Sequence, residues 1–312
     1  MNSTKLKSSE DQEIPLPSGE GWVRGSARNP LFMVFSVFLV AFMYSPLRAL
    51  IAYAMDTDNT HASQIILIPF ITATLIYLNR KKIFQTVDYS IIPGMLLMIL
   101  GVGLLIAGTT IGADLNKGDH LALMTSSIVV LWLGGFLFFY GPSAFRTAIF
   151  PLLFLVFFIP IPSVILDPTI EFLRRGSADM AFIMLRLTGM PIFRDGFFFQ
   201  LPTLTIEIAK ECSGIRSSIS IVISSLLAGH LFLRSWWRRG ILVIIAVPVL
   251  LFKNAVRISA LSYLAVYYDP EWLKGELHHE GGFLFFALGL LVLYPVLKIL
   301  IRIDDSSRAE PD

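Results

Sequence analysis

The sequence predicts an all-α polytopic membrane protein with about eight transmembrane helices, and three observations carry that prediction. Of 312 residues, 55% are hydrophobic and only 15% charged, and the mean hydropathy is +0.70, a composition foreign to water-soluble domains. Apolar runs close to the ~20 residues that a bilayer requires recur along the chain. Lysine and arginine gather in alternate loops between those runs, as on the cytoplasmic side of a membrane protein. The balance of 25 Lys+Arg against 23 Asp+Glu leaves no basic excess for a nucleic-acid partner. One cysteine excludes a disulfide framework and any cysteine-rich metal site, and no motif calls for a cofactor.

Taken in order, residues 1–28 are polar and hold Lys5, Lys7, Arg24 and Arg28, reading as a disordered cytoplasmic leader. Residues 29–303 form a single membrane domain, and 304–312 a cytoplasmic tail. Within the domain, candidate spans fall at about 30–50, 62–79, 91–111, 120–140, 146–163, 214–233, 240–265 and 282–302. Between the fifth and sixth, residues 164–213 do not read as a span. Asp167 to Thr188 spreads Glu171, Arg174, Arg175, Asp179 and Arg186 among apolar residues at helical spacing, predicting an extracytoplasmic amphipathic helix. Pro191 to Glu207 alternates short apolar runs with Arg194-Asp195-Gly196, predicting a small β-hairpin.

The leader, Arg80-Lys81-Lys82, Arg146, Arg234 with Arg238-Arg239, and Lys298 with Arg302 alternate along the chain, which places them and both termini inside. The 164–213 segment and the 269–280 loop then lie outside. On that side three groups meet: Cys212, where the outer segment enters the sixth span; Arg257, near the outer end of the seventh; and His278 with His279, just before the eighth. A cysteine in an apolar protein is ordinarily a small inert hydrophobe. Here Cys212 is expected to begin a helix, whose positive dipole end favours a thiolate, with Arg216 at i+4 favouring it further and Glu211 opposing. On general grounds an arginine near the end of a span snorkels to the interface, but Asn254 three residues before Arg257 shares its face, and an ionisable residue within a span is a functional candidate. The histidines have only Glu280 beside them, so no zinc-ligand spacing appears. Ser213, Ser217, Ser218 and Ser220 read as helix-packing residues.

Glu211-Cys212-Ser213-Gly214-Ile215-Arg216-Ser217, Asn254-x-x-Arg257, and His278 followed by Gly282 and an aromatic resemble, in order and topology, the three signatures of the exosortase/archaeosortase family. Thr60-His61 opening the second span, Arg80 closing it, Phe150 to Leu155, and Ile159-Pro160-Ile161-Pro162 extend the resemblance over most of the chain. The family aromatic after the glycine is often Trp and is Phe283 here. The resemblance implies a multi-pass cysteine peptidase or transpeptidase of the bacterial inner membrane, with its active site facing the periplasm. Its implied substrates are exported proteins ending in a Pro-Glu-Pro motif, a membrane helix and a basic tail, in bacteria that make exopolysaccharide. Cys212 matches the nucleophile, Arg257 the arginine and His278 the histidine, with His279 the alternative. His61, Glu211, Arg216 and Asn254 would support them.

Such a site would work through a thioester: the thiolate attacks the scissile carbonyl, the arginine stabilises the thiolate or oxyanion, and the histidine protonates the leaving amine. Water or another acceptor nucleophile would release it. The competing class is a transporter or channel that uses Arg257 and the histidines to bind an ion or an anionic sugar. A transporter should tolerate loss of the thiol and a cysteine peptidase should not.

Overall fold

The computed structural model describes residues 20–56, 62–85, 87–269 and 282–306. Helices α1 (Glu20–Phe42) and α2 (Tyr44–Met55) open the chain, followed by a 3-10 turn that leads into α3 (Ile68–Leu78) and by the short α4 (Arg80–Ile83). Next come α5 (Ile91–Thr110), α6 (Lys117–Thr147), α7 (Ile149–Phe154) and α8 (Ser163–Leu187). A three-stranded sheet, β1 (Phe193–Asp195), β2 (Phe198–Gln200) and β3 (Thr205–Glu207), precedes α9 (Ile215–Phe232), α10 (Trp236–Tyr267) and α11 (Gly282–Ser306).

Among the described residues five helices are long and apolar enough to cross a membrane, or up to seven if each of two bent pairs is one span. The expected eight differ where local chemistry interrupts an apolar run. The run 30–50 becomes α1 and α2, bent by 70°, and the run 146–163 becomes a break of 85° between the helical stretch Ile149–Phe158 and α8. Pro160 and Pro162 explain the second break, because each disfavours helical backbone at the residue before it. The run 62–79 yields only the shorter apolar helix Ile65–Leu78.

In the first half, α5 lies directly along α6 because Gly94, Gly101 and Gly108 recur every seven residues on its buried face. A Cβ at Gly94 would lie 2.6 Å from the Phe138 Cα, and one at Gly101 would lie 2.9 Å from the Leu131 nitrogen. Only residues without a side chain permit such an approach. Met98 and Leu105 also pack inward, and most of the remaining side chains of α5 face outward. Asp119 then ties the start of α6 to the start of α8, accepting from the Ser163 backbone N–H at 2.6 Å and from the Ser163 hydroxyl at 2.5 Å.

The second half is a bundle of α8, α9, α10 and α11 around Leu173, Ile221, Leu242, Ala246, Leu250 and Leu293. Helices α9 and α10 are antiparallel, joined by residues 233–235. At that corner Asp304 of α11 pairs with Arg238 and accepts from the Arg234 backbone N–H at 2.8 Å. The opposite end of the same pair is some 25–30 Å away at ~1.5 Å per residue, and there the segment 164–213 meets α9. Gln64 links the two halves, donating to the Arg216 carbonyl at 2.6 Å and the Ser220 hydroxyl at 2.8 Å.

The amphipathic segment is α8, a 25-residue helix packed on α10. The expected hairpin is present as β1 and β2, turning at Gly196 with φ +58°. The structure adds β3, which pairs with β2 so that Phe199 faces Ile206. A reversal at 201–204, closed by Leu201 N–H to Leu204 O at 2.9 Å, makes the third strand possible. All three strands are three residues long; Asp195-Gly196 marks the first turn, whereas Pro202-Thr203 carries no such hairpin signature, which is why the sequence revealed a hairpin only.

Candidate active site

The sheet packs beside the segment that leads into one turn. Phe199 is fully buried among Ala178, Ala181, Leu185, Met190 and Ile208, and Cys212 packs on the edge of this cluster. From α8, Arg174 donates to the Ile208 carbonyl, pairs with Glu207 at 3.4 Å and lies 3.7 Å over the Phe197 ring. Asp179 of the same helix pairs with Arg194 of β1 at 2.6 Å. Thus Ile208, four residues before Cys212, is fixed by a buried side chain and a charged donor at once.

Cys212 lies in a 3-10 turn, Lys210–Ser213, closed by its own N–H to the Ala209 carbonyl at 3.0 Å. It is half-buried, whereas Ser213 beside it is fully buried. Gly214 then takes a left-handed conformation, φ +69°, and α9 starts at Ile215. The expectation that Cys212 begins the helix is therefore corrected: the helix starts three residues later. The left-handed residue breaks the helical register between 212 and 216, so the i,i+4 face proposed for Cys212 and Arg216 does not form. Arg216 is exposed.

Helix α10 supplies the other side of the turn. Asn254 is 1% exposed and donates its amide to the Cys212 carbonyl at 2.9 Å. Arg257, one helical turn on, is half-buried and interacts electrostatically with Cys212. Cys212, Asn254 and Arg257 are thus brought together by the antiparallel α9–α10 pair, at the end remote from Arg234 and Arg238. His61, His278 and His279 lie outside the described residues, as does the side chain of Glu211. Among the described residues no three His, Cys, Asp or Glu side chains cluster as metal ligands would.

One residue escaped the sequence reading. Lys253 is 1% exposed and donates to the Ser217 hydroxyl and, at 3.5 Å, to the Gly214 carbonyl. Ser217, read as a packing residue, is therefore a polar partner. The signal was available: Lys253 interrupts an apolar run, and a lysine at the centre of a span costs roughly 2.5–3.5 kcal/mol on insertion scales, so it is seldom incidental.

Gly214 has no room for a side chain. A Cβ there would stand 2.6 Å from the Asn254 Oδ1 and 3.4 Å from the Lys253 Nζ. Gly214→Ala is expected to destabilise the protein by about 1–2 kcal/mol from left-handed backbone alone, and further by pushing Asn254 away from Cys212. Thermal unfolding in detergent, followed by light scattering, should show a lower midpoint than in a Gly240→Ala control, where the added Cβ meets nothing within 4 Å. Equal midpoints would show that the turn adapts.

A family model described as transmembrane exosortase matches residues 56–295, most of the chain. No curated protein and no solved structure matches it.

Proposed function

We propose, since the chain belongs to the transmembrane exosortase family, that its membrane transpeptidase-like sorting activity is carried by a Cys212–Arg257–His278 site acting on C-terminal sorting signals. The observation that carries this reading is the grip of Asn254 on the Cys212 carbonyl at 2.9 Å. That bond fixes α10 against the cysteine turn and so sets Arg257, one turn further on, in electrostatic reach of the sulfur.

The chemistry follows from those groups. A substrate anchored by its own membrane helix presents the short peptide before that helix at the outer bilayer surface. The Cys212 thiolate attacks the scissile carbonyl carbon, and the oxyanion formed is met by the Arg257 guanidinium, whose planar donors suit it. Collapse breaks the C–N bond, the departing amine takes a proton from His278, and the acyl group remains on sulfur as a thioester. His278 then removes a proton from water or another acceptor nucleophile, whose attack releases the product and restores the thiolate. His279 serves in place of His278 if the loop presents it instead. The substrates are exported proteins bearing a Pro-Glu-Pro motif, a membrane helix and a basic tail.

The site then faces the periplasm from the inner membrane, which the basic α9–α10 corner supports, since arginines gather on the cytoplasmic side. Reporter fusions after Lys82 and Arg239 should report the inside, and a fusion after Gly118 the outside. An outside report at 239 would place Cys212 in the cytoplasm and end this reading. The activity itself is tested by co-expressing the chain with a tagged protein that carries the signal. The substrate should shorten only when the chain is present, and an unchanged substrate would refute the proposal.

A further inference from the structure

Lys253 carries a role that the proposed chemistry leaves unused. Its stem passes Gly289 of α11, where a Cβ would meet Ile221 at 2.5 Å and the Lys253 Cγ at 3.8 Å. The absence of a side chain at 289 makes room for Ile221, and the lysine stem lies in ordinary contact beside it. Its head reaches the turn that carries Cys212, contacting Ser217 and the Gly214 carbonyl.

Hydrogen bonding by itself does not call for a lysine there. The Gly214 carbonyl already accepts from the Ser218 N–H at 3.0 Å, the Ser218 hydroxyl at 2.8 Å and the Ser217 hydroxyl at 3.1 Å. A neutral residue would leave that oxygen satisfied. In its protonated form Lys253 adds a positive charge, and none of the ion pairs among the described residues includes it. Lys253 is tied to the turn that carries the sulfur, because the next residue, Asn254, binds the Cys212 carbonyl. Arg257, one turn along α10, interacts electrostatically with both Lys253 and Cys212. Two cations one turn apart on one helix repel each other, and a thiolate beside Arg257 offsets part of that repulsion.

We infer that Lys253 is a positioning residue of the thiol site: it holds the left-handed Gly214 turn from the membrane side and sets, with Arg257, a positive field at the Cys212 sulfur. The inference rests on the reading of Cys212 as the working thiol. It also adds a second cation to the charge that Arg257 supplies.

Because Cys212 is the chain's one cysteine, every thiol signal reports on it. The full-length protein in detergent, in mildly acidic buffer that keeps the lysine protonated, is treated with two methanethiosulfonates of similar size, one bearing a sulfonate and one a trimethylammonium group. The wild type should react faster with the anionic reagent. Lys253→Met should lower the anionic-to-cationic rate ratio about fivefold, as loss of one nearby charge at intermediate dielectric would, while Lys253→Arg keeps it within about twofold on the same basis. If Lys253→Met does not insert, Ser217→Asp keeps the lysine and cancels its charge, and should lower the ratio alike. Equal changes in both rates, or an unchanged ratio in these variants, would overturn the inference by showing a purely structural lysine. Labelling needs no processing activity, so an inactive wild type would refute the proposed function while the ratio still decided the case of Lys253.

Discussion

Cys212→Ala is expected to abolish processing of a sorting-signal substrate while expression and membrane insertion stay intact. Alanine fits the half-buried position, and the contacts that hold the turn pass through backbone atoms: the Cys212 N–H to Ala209 and the Cys212 carbonyl to Asn254. The turn should therefore survive without its sulfur, and only the nucleophile is lost. Removal of a nucleophile from a cooperating set lowers turnover by on the order of a thousandfold or more, beyond detection in a blot of substrate size. Cys212→Ser should be nearly as inactive, because a hydroxyl ionises far less readily than a thiol in the same field. Wild-type enzyme caught with substrate should carry an adduct that hydroxylamine removes, as a thioester requires, and His278→Ala should slow or trap it, with His279→Ala milder. Normal cleavage by Cys212→Ala would end the cysteine-peptidase reading and return the chain to the transporter class.

Arg257→Lys should fold and insert yet lose most processing. A lysine keeps the charge but presents a compact ammonium in place of a planar fork of donors, so it cannot meet a sulfur and a developing oxyanion in the same geometry. The loss of one oxyanion donor typically lowers turnover by roughly 10²–10³-fold, which a time course of substrate shortening would resolve. Binding should change far less than turnover, since the interaction matters most when negative charge develops. Full activity in the lysine variant would mean that the arginine merely reaches for the interface.

The fold class was legible because it depends on composition and on the length of apolar runs, which are properties of the sequence alone. The helical segment 167–188 and the turn at Gly196 were legible for the same reason: each follows from local periodicity or from a residue with local conformational freedom. The number of spans was less so. Whether 30–50 and 146–163 cross as straight helices depends on bends at Met43 and at the two prolines of Ile159-Pro160-Ile161-Pro162, and hydropathy averages do not register a bend.

For the site, the sequence by itself determined which residues are unusual: one cysteine, an Asn254-x-x-Arg257 pair within a span, and a paired histidine before the last one. Tertiary structure decided how Cys212 meets the Asn254 and Arg257 pair. Gly214 places the cysteine in a turn before α9 instead of on it, Asn254 grips that turn by its carbonyl, and Lys253 supports it from below. The reason is physical. Helical spacing relates residues only within an unbroken helix, while the reach from α10 to the turn crosses some forty residues of chain and is set by the packing of α8, α9, α10 and α11, which no local pattern encodes.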